Sequence, residues 1–258
     1  VASQASLMES PRVCTDHMRV CAPCVGKHLA TVVVRCQPDD TGVTAYTGDG
    51  TEISAGHLAL TAGARSRRIK GTGAETLPLG TERGYHMLYC NHGEQVSRPV
   101  GWAEAGLYAT FMAHGLRIAG TVEINNIEAA PNAKSIAYLK RKSHEMFGPL
   151  STPDDTWLGH RPTMPDALPV IGPSSASSRV ILAFGHQHIG LTLGGVTGKI
   201  VTDLARGQAP SCDISNLPPS GLVDRVRLSG FQASSVTMFA LRHHRSSASS
   251  RGIRTMTA

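Results

Sequence analysis

The chain has 258 residues, enough for one large domain or two small ones with a sizeable core. Apolar residues make up 41% and charged residues 17%, the balance of a globular protein rather than of a disordered chain. The net charge of +6 equals the six arginines after position 224, where no Asp, Glu or Lys occurs, so the basicity belongs to a tail and not to a nucleic-acid-binding fold.

That Ser/Arg-rich tail, residues 221–258, reads as disordered, and nucleic acid is not an expected partner. No apolar run approaches the ~20 residues that span a bilayer. The start lacks the basic and apolar regions of a signal peptide, and its Val1 suggests a missing natural start. Six cysteines are too few for a disulfide framework at this length, which points to a reducing compartment.

In chain order, residues 11–25 carry a weak helical stripe, with Pro11 suited to a first turn and Gly26 to a cap. Thr31-Val32-Val33-Val34 predicts a strand, and 43–47 another. Gly48-Asp49-Gly50 then turns a hairpin into Thr51-Glu52-Ile53. Residues 58–61 predict a buried strand ending at Ala62-Gly63-Ala64. Residues 65–80, basic and then rich in Gly and Thr, predict a surface loop.

Arg83 to Tyr89 alternates as a strand, and strand patterns follow at 107–112 and 115–124. Residues 132–147 predict a helix with Ile136, Leu139, Ser143 and Phe147 on one side and Gly148-Pro149 as its stop. Residues 159–173, with four prolines, predict a stiff loop, and 180–184 a buried strand. A helix then carries Leu193, Val196, Ile200, Val201 and Leu204 on one face, with Thr192 as N-cap and Gly207 as its end. These elements predict a mixed α/β and α+β architecture.

Two segments carry chemistry. Arg161, before Pro162 on a proline-stiffened loop, presents a guanidinium suited to a carboxylate, or else is an ordinary arginine paired with Asp166 or another surface acid. The turn from Gly185 to Gly195, between strand and helix, presents unpaired N–H groups to a negative group, or else packs helix on strand. It does not fit the phosphate-loop pattern, because Leu193 stands where its first Gly belongs and Ile200 replaces Ser/Thr. His186 and His188 lack a third ligand, with His160 only a speculative partner, so no metal is expected. Cys21 and Cys24 lack the flanking pattern of a redox motif. Gly71-Thr72-Gly73 follows no strand and lacks the third Gly of a dinucleotide fingerprint.

Taken together, Leu79-Gly80-Thr81-Glu82-Arg83-Gly84-Tyr85-His86, Leu116-Arg117-Ile118-Ala119-Gly120-Thr121-Val122-Glu123, the 159–173 loop and the 184–204 segment resemble the FAD-dependent amino-acid oxidoreductases, close to bacterial D-amino-acid dehydrogenases. The resemblance implies the C-terminal portion of a glutathione-reductase-like FAD domain interleaved with an antiparallel-sheet substrate domain. The corresponding segments are a partial FAD domain and β-meander at 1–78, a substrate domain at 79–150, and the substrate loop with a C-terminal strand and helix at 151–220. It implies that Arg161 holds the substrate carboxylate and that Tyr85 lines the same pocket. Gly63 and Ala64 would pass near the FAD phosphates. Gly185, His188, Gly190, Leu191 and Thr192 would lie under the flavin ring, where N–H groups of the last three meet the pyrimidine carbonyl.

The implied reaction is hydride transfer from the substrate α-carbon to the flavin, giving a 2-oxo acid and ammonia. The implied partners are an amino-acid substrate and an acceptor such as a quinone or an electron-transfer protein. Location would be cytoplasmic, free or peripheral at the inner membrane. A glycine, sarcosine or hydroxyproline oxidase is the near alternative. The family's N-terminal diphosphate-binding unit has no counterpart in this sequence, so a remnant unable to retain FAD is the other.

Overall fold

The structure, a computed structural model, describes residues 29–92 and 95–217. The expected helix at 11–25, the Cys21/Cys24 pair and the basic tail lie outside the described residues. Within them the chain is mixed α/β, as expected, and is built on three sheets.

The first sheet is an antiparallel meander of β1 (Val33–Pro38), β2 (Val43–Thr47) and β3 (Glu52–Ala55). The second holds β4 (Leu58–Leu60), β10 (Val170–Pro173) and β11 (Val180–Phe184), in the order β10-β11-β4. All five residues of β11 are buried, as expected of a strand covered on both faces. β4 runs parallel to β11 although more than a hundred residues separate them, with Leu60 opposite Leu182.

The third sheet is antiparallel. Its members are β5 (Gly80–Tyr89), β6 (Val100–Trp102), β7 (Leu107–Met112), β8 (Gly115–Ile124) and β9 (Asp155–Thr163), in the order β6-β7-β8-β5-β9. Side chains alternate between its faces. Along β5, Arg83, Tyr85, Met87 and Tyr89 are buried, while Glu82, His86 and Leu88 are only half-buried. The buried set meets Leu107, Ala109, Leu116 and Ile118 in one core, closed by helix α1 (Ala133–Phe147) through Leu139.

Helix α1 begins where Asn132 Oδ1 accepts the Lys134 N–H at 2.9 Å, and ends at Gly148, as the sequence predicts. Its start is also pinned to the sheet. Asn132 donates its N–H to Tyr85 Oη (2.7 Å) and its Nδ2 to Glu123 Oε2 (2.9 Å), while Tyr85 Oη donates to Glu123 Oε1 (2.6 Å). The fully buried Arg83 lies 3.3 Å from the same carboxylate and donates to the carbonyls of Ala129 and Ala130.

Two expectations are corrected. Residues 65–80 are not a surface loop: Ser66, Thr72, Ala74, Leu77 and Leu79 are buried, and short 3-10 turns cover Gly63–Arg68 and Ala74–Thr76. Residues 159–163 are strand rather than loop. Pro162 fits there because β9 is an edge strand, where a missing N–H leaves no ladder bond unmade.

Helix α2 (Gly190–Ala205) buries Thr197, Ile200 and Asp203, whereas Val196, expected in the core, is 45% exposed. It ends as expected, with Gly207 in the left-handed region at φ +68°. A Cβ at Gly198 would meet no atom within 4 Å. Glycine in a helix interior costs about 0.5–1 kcal/mol relative to alanine. Gly198→Ala is therefore expected to stabilise the chain by about that much in urea unfolding, and a loss of stability would show that something packs on this face.

Candidate functional site

Register places Arg161 and Tyr85 on opposite faces of the third sheet. Arg161 pairs with Glu82 and so shares the face of Glu82, Gly84 and His86, while Tyr85 is 2% exposed on the core face. The structure thus does not bring Tyr85 to Arg161. The Tyr85 hydroxyl is committed to Glu123 and the start of α1.

The open face has a floor made of two glycines paired across β5 and β9, Gly84 and Gly159. A Cβ on Gly84 would overlap the Arg161 guanidinium, and one on Gly159 would overlap the Trp157 indole. Both large side chains therefore lie flat over this pair, which only glycine permits. Arg161 Nη1 is buried with no hydrogen-bond partner, and Arg161 makes no ion pair among the described residues. Burial draws its pKa down, and the nearby Glu82 charge partly restores it. The pairing with Asp166 that the sequence left open is not formed.

His86 stacks on Trp157, ring centroids 5.0 Å apart, and its Nδ1 lies 3.1 Å from Arg117 Nη2. Arginine can only donate, so Nδ1 accepts and the ring is held neutral. Burial, then the Arg117 charge, lower His86 to about 4 against a weaker opposing pull from Asp155. Glu82, His86 and Arg117 lie inside the motifs that carry the resemblance, but neither they nor Trp157 is singled out in the sequence for a role. Each sits on a strand whose register alone brings it to Arg161, although the alternation along β5 already separates the two faces.

The two Gly-rich segments do come together. Gln187 donates its N–H to Pro162 O (3.1 Å), Thr163 bridges His186, and His188 Nε2 lies 2.9 Å from Glu82 Oε2. His186 instead meets Thr197 Oγ1 at 3.0 Å, so the two histidines do not converge.

The remaining expected residues meet at one edge of the second sheet. β4 and β11 are parallel and level, so Gly63 and Ala64, just past β4, emerge beside Gly185, just past β11. Ala64 lines a cleft of ≈ 500 Å³ with Arg67, Arg68, Gly80, Thr81 and Asn125. The carboxyl ends of parallel strands are the usual ligand edge of such sheets. Gly185 serves packing there, at φ +89° with Met164 against it. Helix α2 starts three residues earlier than predicted, with Ile189 and not Thr192 at the N-cap. Its first ladder bond runs from Leu193 N–H to Ile189 O. The N–H groups of Gly190, Leu191 and Thr192 are therefore outside the intrahelical ladder, at the positive end of the helix.

Residues 26–204 match the family model described as FAD dependent oxidoreductase. The chain is 39% identical over 185 residues to a D-amino-acid oxidase of Bradyrhizobium diazoefficiens, an alignment covering 69% of this chain and 44% of that protein. It is 30% identical over 185 residues to a glycine oxidase of Pseudomonas putida, covering 70% of this chain and 49% of that one. The fold is similar to that of glycine oxidase from Geobacillus kaustophilus, with a TM-score of 0.63 at 20% identity over 74% of this chain and 52% of that one. The chain spans about half the length of the curated relatives it matches. With the match running from the first β-meander through the start of α2 and most of its length, this chain belongs to the FAD-dependent oxidoreductase family.

Proposed function

We propose that this chain supplies the substrate-holding face and part of the flavin floor of an enzyme that oxidises D-amino acids or related amines to 2-oxo acids and ammonia. One observation carries this reading: the Arg161 guanidinium lies flat over a two-glycine floor with a buried Nη1 that has no partner. A planar fork of donors in that state matches a carboxylate through parallel charge-assisted hydrogen bonds. The similarity to a D-amino-acid oxidase and to glycine oxidases supports an amino acid as the owner of that carboxylate.

The residues at the edge of the second sheet fit a flavin. Gly63 leaves open space where a side chain would stand, and the free N–H groups of Gly190, Leu191 and Thr192 suit a group that gains negative charge. Bound FAD would supply the two-electron acceptor. Arg161 fixes one end of the substrate and so sets the direction of its α-carbon, a contribution that lowers the orientational cost of the reaction. Glu82, held by His188, keeps a negative charge near Arg161 without occupying it.

Electrons then pass to a quinone or an electron-transfer protein rather than to oxygen. In flavin-loaded protein, Arg161→Ala is expected to lower kcat/KM for D-amino acids by roughly a hundredfold or more, since two charge-assisted hydrogen bonds are lost. FAD content is expected to stay unchanged, and turnover to consume no oxygen. Unchanged kinetics would remove Arg161 from the site. Stoichiometric oxygen uptake would favour the oxidase reading, to which the similarity to glycine oxidases lends support.

A further inference from the structure

Opposite charges that face each other across two strands ordinarily close an ion pair, and the third sheet contains one. Arg83 on β5 stands opposite Glu123 on β8, with 3.3 Å between guanidinium and carboxylate. One residue earlier on β5, on the open face, the same arrangement stays unclosed. Glu82 stands opposite Arg161 on β9, yet the two make no ion pair among the described residues. Residues directly opposite have Cβ atoms about 4.5–5.5 Å apart, so reach is not what separates these two charges.

Their side chains lean apart along the strands. The Arg161 guanidinium lies on Gly84, two residues beyond Glu82 and about 6.6–6.8 Å along the strand from it. Glu82 leans the other way, because its Oε2 lies 2.9 Å from His188 Nε2. An ionised carboxylate can only accept, so this nitrogen carries the hydrogen and donates it. The turn that bears His188 is itself fixed at the Gly80 end of the strand pair: Gln187 donates its N–H to Pro162 O, and Pro162 stands opposite Thr81. The other cross-strand neighbour of Glu82 is Ile124, which offers no charge. Among the described residues, Glu82 Oε1 is therefore left without a hydrogen-bond partner. The Glu82 side chain is only 23% exposed, so water screens it poorly. Its charge reaches Arg161 across the gap, raising the arginine's pKa against the larger effect of burial.

A held anion and a held cation thus share one face, each with an unused hydrogen-bonding atom, and nothing of the described chain bridges them. The complement of that arrangement is a small zwitterion. We propose that Glu82 is the ammonium acceptor of this site: its Oε1 takes the α-ammonium of an amino acid whose carboxylate lies on Arg161. The substrate then closes the ion pair that the protein leaves open, and His188 acts as the positioning residue that keeps Glu82 from closing it first. This rests on the reading of Arg161 as a carboxylate holder, but it fails separately from it. A Glu82 that only balances the Arg161 charge gives no preference for an amine on the ligand.

The test is calorimetric binding to the purified chain, with D-2-aminobutyrate, D-2-hydroxybutyrate and butyrate as probes. These share one carbon skeleton and differ at the α-substituent. The amino acid is expected to bind roughly 10-fold or more tightly than the hydroxy acid, the effect of one hydrogen bond between charged groups. In Glu82→Gln this ratio is expected to fall to near one, while butyrate binds no more weakly than before, since a like charge near its carboxylate is gone. In Arg161→Gln all three probes are expected to weaken. Equal binding of the amino and hydroxy acids, or a preference for the hydroxy acid, overturns the ammonium subsite while leaving Arg161 in place, and needs no variant to fold. A ratio unchanged by Glu82→Gln overturns it as well. No weakening of any probe in Arg161→Gln, or no binding at millimolar concentration, overturns both readings.

Discussion

Glu123→Ala is expected to destabilise the chain by roughly 3–5 kcal/mol, the cost of leaving a buried charge without its partner. Arg83 is fully buried, and the Glu123 carboxylate is the anion beside it. The same carboxylate accepts from Tyr85 and from the Asn132 side chain, so its loss also frees the residue that starts α1. Urea unfolding followed by circular dichroism reads the effect, and a change within experimental scatter would show that Arg83 finds another anion. The pH dependence has a definite sign. Burial pushes the Glu123 pKa up, but the hydrogen bonds from Tyr85 and Asn132 and the Arg83 charge outweigh it, and the net shift is downward. A carboxylate with a lowered folded pKa contributes stability that is fully present above its unfolded value, about 4.3. That contribution is lost as pH falls through the lower folded value. Glu123→Ala is therefore expected to flatten the acid limb of the stability curve below about pH 4.3.

Gly84→Ala is expected to do the opposite: to spare folding and disable the site. The three atoms nearest a Cβ at this position all belong to the far end of the Arg161 side chain, which is flexible and can swing away. Alanine is also no worse than glycine inside a strand. Stability is thus expected to change by less than about 1 kcal/mol. The guanidinium, however, is lifted from its floor by the width of a methyl group, and a displacement near 1 Å at a positioning group can cost about a hundredfold in rate. Butyrate binding by calorimetry, set beside urea unfolding of the same variant, separates the two effects. Intact binding would mean that Arg161 does not need the glycine floor, and a collapse of stability would mean that the floor is structural.

Much of this architecture was legible in the chain. The alternation through β5, β7 and β8 and the boundaries of α1 follow from period and capping, since Asn132 and Gly148 leave little choice of where that helix starts and stops. What failed was composition read as conformation. Proline density made 159–173 look like loop, because the sequence does not state that β9 lies at an edge. Glycine and threonine made 65–80 look exposed, although Thr72 and Ser66 are buried and Ser174 Oγ donates to Thr72 O. Tyr85 failed for a different reason. Period two put it opposite Glu82 and His86, but only packing against α1 decides which of the two faces becomes core. Arg161 and the Gly185–Thr192 turn stood out because their local chemistry is unusual. Arg117, His86 and Trp157 are ordinary residues made neighbours by register.

The pairing of β4 with β11 fixes how freely the rest of this protein can vary. These strands close a loop that contains the whole third sheet and α1. The entropy of closing a long loop grows only with the logarithm of its length, so doubling the intervening chain would cost only about 0.6 kcal/mol. The edge where Gly63 and Gly185 emerge is therefore almost indifferent to how much chain lies between them. Turns of the third sheet can lengthen, shorten or change sequence while the glycines at the ends of β4 and β11 stay level, so the face that carries Arg161 can be rebuilt without retuning the edge beside it.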